Sequence, residues 1–408
     1  RVLFRSYAIV FGAFLIPAGR IADRFGRKGV FLAGLAIFTS ASAWCALSPT
    51  VWMLVAARCV QAVGAAILVP ASLGLVLTTA PEGRSAHQVR VWAITASVAA
   101  AAGPVVGGLL TQVHWSLVFL INLPIGLVCL VAAVRLVPSV IHDRAGHIPD
   151  PVESLLVVVA IGALSTGLVK EPEWGWGDSR TMAAWILAVL AGLAFLVVNR
   201  RVATPVVDLA LFRDRRFAAA NTAMLFAGAA MGTELLGLSL LLQQSWHWSP
   251  IATGLGLAPS AVTTFVAAQL GPRLLPRMKP PAMAALGCCI SAVGQGAMVL
   301  ALHSMHGHPY VVAILPAWLV IGLGGGFAIP AIIGTGAASV AAHASASGSA
   351  VVQMSRQIGS VIGTATLVAI LGTTVGTTTP FLTTWSGTTA LWLLAGATIA
   401  IAARQERA

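Results

Sequence analysis

Long apolar runs alternate with short polar connections along all 408 residues of the chain. A helix needs about 20 apolar residues to cross the roughly 30 Å hydrocarbon core of a bilayer, and its backbone groups are satisfied within the segment. The runs predict about thirteen spans, near 3–22, 29–48, 51–79, 87–112, 115–137, 152–169, 181–199, 217–243, 250–275, 280–303, 310–337, 345–375 and 387–403. Several exceed the minimum length, so tilted or protruding helices are expected. The pattern thus predicts an all-α polytopic membrane protein.

Composition points the same way. Hydrophobic residues make up 58% of the chain and charged residues 9%, whereas a soluble domain carries about a quarter charged residues. The formal charge of +12 would suit a nucleic-acid partner, but the cations follow topology instead. Arg20, Arg24, Arg27 and Lys28 share one connection, Arg84 and Arg90 flank the next on the same side, and Arg135 and Arg144 follow two spans later. The series continues with Arg200, Arg201, Arg213, Arg215 and Arg216, then Arg273, Arg277 and Lys279, and ends with Arg404 and Arg407. Every second connection is basic, so the partner is the lipid bilayer and the basic side, with the C-terminus, faces the cytoplasm. Arginine far outnumbers lysine and alanine and glycine abound, as in a GC-rich bacterial gene. All five cysteines fall inside the predicted spans, where they read as small hydrophobes and not as disulfide partners.

This topology places Arg1 on the outer side with no span before it, and the expectation is one further span upstream. Fourteen spans divide as six, two and six: an N-terminal bundle over 1–138, a central two-span hairpin with its cytoplasmic connections over 139–216, and a C-terminal bundle over 217–408. A faint repeat supports the division. The turn "PRLLPRMKPP" (272–281) sits in the last block where "GRIADRFGRK" (19–28) sits in the first, with Arg273 and Arg277 matching Arg20 and Arg24, and Pro276 in the place of Asp23. Paired six-span bundles are a common transporter plan, with the substrate path near the bilayer midplane.

Several residues stand out chemically. In "GRIADRFGRK", Gly19 allows two helices to approach, and Asp23 at a helix end suits a helix dipole or an arginine. Arg24, Arg27 and Lys28 can reach lipid phosphates or carboxylates. A plain positive-inside turn accounts for the cations; the spacing of Gly19, Asp23 and Gly26 points further, to a conformational role. Arg58 lies within an apolar span, where an ionisable residue costs about 2.5–3.5 kcal/mol. It is expected to face the bundle interior and bond Gln61 or a backbone carbonyl, whether for function or as a structural tie. Gly103, Pro104, Gly107 and Gly108 thin and bend a span. Glu234 is the acid predicted well inside the membrane, one turn from Gly237, where it can exchange a proton, attract a cation or simply hydrogen-bond. Arg356 and Gln357 are a polar pair within an apolar span, placed to bond across the bundle or to answer Glu234.

The string "GRIADRFGRK" resembles the signature loop between the second and third spans of the major facilitator superfamily. "RCVQAVGAA" (58–66) resembles the fourth-span motif, with Ala62 replacing the usual first glycine. "GPVVGG" (103–108) is similar to the fifth-span antiporter motif, and "WSLVFLINLPIG" (115–126) to the start of the sixth span in the fourteen-span drug:proton antiporters. The resemblance implies two six-helix bundles with two extra central spans, in a multi-pass protein of the plasma (inner) membrane. It implies alternating-access export of small lipophilic or cationic compounds, as in multidrug efflux and antibiotic resistance, in exchange for protons. It assigns proton transfer to Arg58, alongside the proton exchange read for Glu234 from its place inside a span, and switching to Gly19, Asp23, Arg24, Gly26 and Arg27. Export direction falls to Gly103, Pro104, Gly107 and Gly108, and a polar network near the substrate to Gln61, Arg356 and Gln357. Spans of this branch commonly carry an acid in the first span; without one, coupling rests on Glu234.

Two rival readings are an exporter of one endogenous metabolite or antibiotic, and a non-transporting receptor or scaffold of transporter ancestry. His303, His306 and His308 straddle an outer connection without an accompanying carboxylate or cysteine, so no metal site is expected. Trp174, Trp176, Trp246 and Trp248 read as interfacial anchors, and "GLGGGF" (322–327) as close helix packing. There is no GKS/T string for ATP. With no nucleophile and base, ligand set or paired carboxylates at useful spacing, neither an enzyme nor a cofactor is expected.

Overall fold

The computed structural model describes residues 7, 10–11, 14, 17–19, 21–22, 24–79, 85–138, 150–175, 177–202, 205, 209–304, 310–340, 345–371 and 379–405. Among these every regular element is a helix: α1 (Arg27–Ala46), α2 (Val51–Thr79), α3 (Ser85–Val113), α4 (Leu117–Leu120), α5 (Asn122–Leu136), α6 (Pro151–Trp174), α7 (Ser179–Asn199), α8 (Arg215–Leu240), α9 (Pro250–Leu274), α10 (Pro280–Ser304), α11 (Leu315–Ala338), α12 (Ser345–Leu371) and α13 (Thr379–Gln405). Short π turns extend α8 over Leu241–Ser245 and precede α11 over Tyr310–Ile314. Ten helical segments among the described residues are long and apolar enough to cross a membrane. The remaining predicted spans fall on α3, on α6 and on the helical positions described between 7 and 25.

Helix starts follow the side chains that precede them. Asp178 accepts from the Arg180 amide, Asp214 from those of Arg216 and Phe217, and Ser249 from that of Ala252, with Pro250 at the first helical position. Each relieves amides that have no partner in the first turn. Before α1 the chain turns at Gly26, whose φ of 91° lies in the left-handed region that glycine enters without a Cβ clash.

The chain forms two compact units, one of Arg1–Ala93 with Val113–Leu209, the other of Ile94–Gln112 with Ala210–Ala408. In the first, α1 crosses α2 where Gly34 faces Ile67 and Gly64 faces the Phe38 backbone; a Cβ at Gly64 would come 2.6 Å from the Phe38 amide nitrogen. Gly126 of α5 lies against Thr39 of α1 in the same way. The α6–α7 hairpin is closed at its open end by the Asn199 amide, which donates to Glu153 Oε1 at 2.5 Å with both residues buried. In the second unit α8 crosses α12 through Gly228 and Gly232 on one helix and Gly359 and Gly363 on the other. Glycines of "GLGGGF" split between neighbours: Gly322 and Gly326 face α9, and Gly324 faces Ser291 of α10. Close packing is therefore what this string does, because within lipid small residues let dispersion and backbone contacts replace the hydrophobic drive.

A core in the second unit includes Leu238, Leu241, Leu242, Met298, Trp318, Ile321, Phe381 and Trp385. It also includes Trp246, which is 6% exposed. This corrects the reading of Trp246 as an interfacial anchor: the residue follows the π turn at the end of α8 and packs into the core. Trp248 packs on Tyr310 with ring centroids 5.0 Å apart, and Trp174 stands 5.7 Å from the Arg180 guanidinium. His303 is exposed at the end of α10, while Trp176, His306 and His308 lie outside the described residues.

Candidate functional site

Buried polar sites occur in both units. In the first unit, α2 carries Arg58 and Gln61 three residues apart, so both side chains lie on the same face. Arg58 Nη1 donates to Gln61 Oε1 at 2.6 Å, Gln61 Nε2 donates to Ser42 Oγ at 2.6 Å, and Ser42 donates onward to the Phe38 carbonyl at 2.8 Å. Asn122 approaches Ser42 at 3.4 Å. The guanidinium lies over the Tyr7 ring at 4.0 Å and near the Phe119 ring at 5.6 Å. A cation in an apolar span is thus held by one amide and two ring faces, an arrangement that stabilises a guanidinium without neutralising it. The expected Arg58–Gln61 bond is present. Sequence reading missed Ser42, Asn122 and Tyr7, whose signal was only that they are polar residues in apolar runs.

The "GRIADRFGRK" stretch is described in part. Asp23 and Arg20 lie outside the described residues, and Arg24 is half-buried just before Gly26. Arg27 Nη1 donates to the Gly74 carbonyl at 2.7 Å, and Lys28 Nζ to those of Val134 and Val137 at 3.0 and 2.6 Å. These cations answer backbone carbonyls: Lys28 meets the C-terminal end of α5, where unpaired carbonyls and the helix dipole favour positive charge. Among the described residues a Cβ on Gly19 would meet Pro70 at an ordinary 3.6 Å. The tight crossing is at Gly34 and Gly64, one helix further on.

In the second unit α8 carries Glu234, 3% exposed, and Trp392 Nε1 of α13 donates to its Oε1 at 2.5 Å. Among the described residues that indole is its side-chain partner. The helices packed most closely on α8 bring few charges: α11 has none, α12 has Arg356 and α13 has Arg404 near its end. Arg356 does not answer Glu234. Its Nε donates to Gln353 Oε1 at 3.0 Å on its own helix, and its backbone packs against Gly228. Arg356 thus bonds within its own helix, to a residue three positions back on the same face. Nearby, Ser355 donates to Asn221 Oδ1 at 2.8 Å across the α8–α12 crossing.

The "GPVVGG" stretch lies in α3, within the second unit. Gly103 and Gly107 have open space where a Cβ would stand, while Gly108 packs on the first turn of α9, where a Cβ would come 2.8 Å from the Pro250 carbonyl oxygen. Helical structure continues through Pro104, so the expected thinning is seen at Gly108.

A bundle of membrane-length helices, each unit enclosing a polar site within an apolar exterior, defines a polytopic integral membrane protein. The chain belongs to the Major Facilitator Superfamily, a family of transporters, whose model matches residues 2–364. It is 33% identical over 380 residues to the tetracenomycin C resistance and export protein of Streptomyces glaucescens, covering 92% of this chain and 69% of that one. It is 32% identical over 408 residues to the methylenomycin A resistance protein of Bacillus subtilis, covering 98% and 83%. The multidrug resistance protein Stp of Mycobacterium tuberculosis is 30% identical over 368 residues, covering 90% and 67%. Among solved structures, a POT family transporter in complex with a thioalcohol-conjugated peptide superposes with a TM-score of 0.73 at 14% identity, covering 99% of this chain and 87% of that one. At that identity the likeness concerns the fold.

Proposed function

We propose that the chain is a secondary active exporter of small lipophilic or cationic compounds that exchanges them for protons by alternating access. The observation that carries the reading is Glu234, a carboxyl buried in the helical interior with an indole N–H for a partner and, among the described residues, no facing cation. Ionising a carboxyl in a dry interior costs several kcal/mol. Its protonated and ionised forms therefore favour different packings of α8, and a proton becomes a ligand that shifts the conformational equilibrium. Relatives named for antibiotic resistance, export and multidrug resistance support the direction and substrate class. Arg58, with Gln61, supplies the fixed polar site of the first unit, and "GPVVGG" the export-associated stretch.

The cytoplasmic C-terminus, the plasma membrane of a bacterium, and the division at 138 and 216 into bundle, hairpin and bundle belong to the same reading. They rest on the alternation of basic connections and on the bacterial origin of the relatives. A second reading, export of one particular antibiotic, is favoured by two relatives that are each named for a single compound.

The test uses everted vesicles with an imposed proton gradient and a panel of lipophilic cations and neutral antibiotics. Glu234→Gln is expected to abolish gradient-driven transport while the protein still inserts. Undiminished gradient-driven transport in that variant would overturn the proton role, and transport of one compound from the panel would favour the second reading.

A further inference from the structure

In the interior of the second unit, two further side chains lie buried with polar atoms unpaired among the described residues. Gln295 on α10 is 0% exposed, and neither its Oε1 nor its Nε2 has a hydrogen-bond partner. Trp385 on α13 is 0% exposed, and its Nε1 has none either. A buried donor or acceptor without a partner costs about 1–3 kcal/mol. Three such atoms in one helical interior call for a ligand.

Their placement ties both to α13, the helix that meets Glu234. Trp385 and Trp392 are two turns apart on one face of α13; Trp392 meets Glu234, and Trp385 Nε1 stands 2.9 Å from where a Cβ of Gly237 would be, one turn along α8 from the acid. On α10, Met298 shares the core with Leu238 and Trp385. Gln295 lies one turn before Met298 on the same helix. Gly296, the next residue, faces Thr389, which lies between Trp385 and Trp392 on α13. Gln295 thus borders the stretch of α13 between Trp385 and Trp392, and Trp385 Nε1 stands one turn of α8 from the carboxyl.

We infer that this interior is a hydration site, with one or two water molecules held among Gln295, Trp385 and Glu234, through which Glu234 gains and loses its proton. The inference rests on the reading of Glu234 as the proton-carrying group. Water fits the set of groups. Trp385 Nε1 and Gln295 Nε2 donate and Gln295 Oε1 accepts. The carboxyl has lone pairs on two oxygens, of which the Trp392 bond uses one. A buried water makes two to four such bonds. A metal cation is a poor match, since one carboxylate and one amide oxygen give too few hard ligands. Gln295 acts as a positioning residue that holds water against the acid, and Trp392 fixes the other oxygen. Without the water, a carboxyl surrounded by indoles and leucines would have no acceptor for its proton.

The experiment is deuterium exchange followed by infrared spectroscopy on the full chain in lipid. At acid pH the carbonyl stretch of protonated Glu234, identified by its loss in Glu234→Gln, shifts when D2O replaces water. Gln295→Met and Trp385→Phe keep apolar volume and delete the amide and the indole N–H. Each is expected to slow the shift about tenfold, as expected for one lost hydrogen bond of about 1.4 kcal/mol, while the band itself persists. Unchanged exchange in both variants would overturn the hydration site, as would ordered density for the unit's interior that shows Gln295 bonded to protein groups only. That second measurement serves on the unmutated protein if the variants fail to fold. Absence of any protonated Glu234 band would instead sink the proton-antiport reading, so the two failures are distinct.

Discussion

At the scale of single residues, the polar groups inside the membrane are few enough for each to carry a definite consequence. Gln61 serves Arg58 and Ser42 at once, at 2.6 Å each. Replacing Gln61 by Leu leaves a buried guanidinium with ring faces but no hydrogen-bond acceptor at Nη1. A loss of about 1–3 kcal/mol is expected, read as a lower melting temperature of the purified protein, with Ser42→Ala milder because Arg58 keeps its acceptor. If Gln61→Leu melts like the wild type, the network is not structural and its weight shifts to transport. Arg58 and Glu234 were legible in the sequence because ionisable residues stand out in apolar runs. Trp392 and Gln295 were not, since a tryptophan or a glutamine in a span has many uses, and only the fold says what faces it.

At the scale of helices, crossings are decided by where a Cβ cannot fit. At Gly363 a Cβ would run into the backbone of Ala229, and at Gly232 into that of Ser360. Gly363→Leu or Gly232→Leu forces α8 and α12 apart at a cost of at least about 1–3 kcal/mol, and loss of folded protein is expected in size-exclusion profiles. Gly19→Ala, with ordinary contact to Pro70, is expected to change stability by less than about 0.5 kcal/mol. A folded Gly363→Leu protein, or a collapsed Gly19→Ala one, would contradict this ranking. Lys28→Met removes the cation that answers the last carbonyls of α5 and should cost about 0.3–1 kcal/mol, seen as faster amide exchange at that helix end. In the sequence Gly19 and Gly103 stood out and Gly232 and Gly363 did not; sequence spacing alone does not distinguish a glycine at a crossing from one with no described neighbour within 4 Å, such as Gly103.

At the scale of the whole molecule, the alternation of basic connections makes a prediction about orientation. In a chain with its five cysteines replaced, a cysteine introduced at Arg277 should react with an impermeant reagent only in inside-out vesicles, and one at Gly177 only in right-side-out cells. Labelling of both from one side would reject the topology. The two compact units also show how far linear order reaches. The stretch Ile94–Gln112 groups with the C-terminal residues and the α6–α7 hairpin with the N-terminal ones, a grouping the division by charged connections did not contain.

Sequence by itself determined the class, the helical elements and the family, because a bilayer imposes length, apolarity and charge placement locally, residue by residue. It also exposed Arg58 and Glu234, since an ionisable side chain in lipid conflicts with its neighbours in the chain. What only the tertiary structure decided is which group each of them meets. Arg58 lies between Tyr7 and Phe119, Lys28 on the end of α5, Arg356 on Gln353 instead of Glu234, and Glu234 on Trp392 of a helix 158 residues away. Inside lipid any polar group must find a partner, but helix packing, fixed by a handful of glycine contacts, chooses which one.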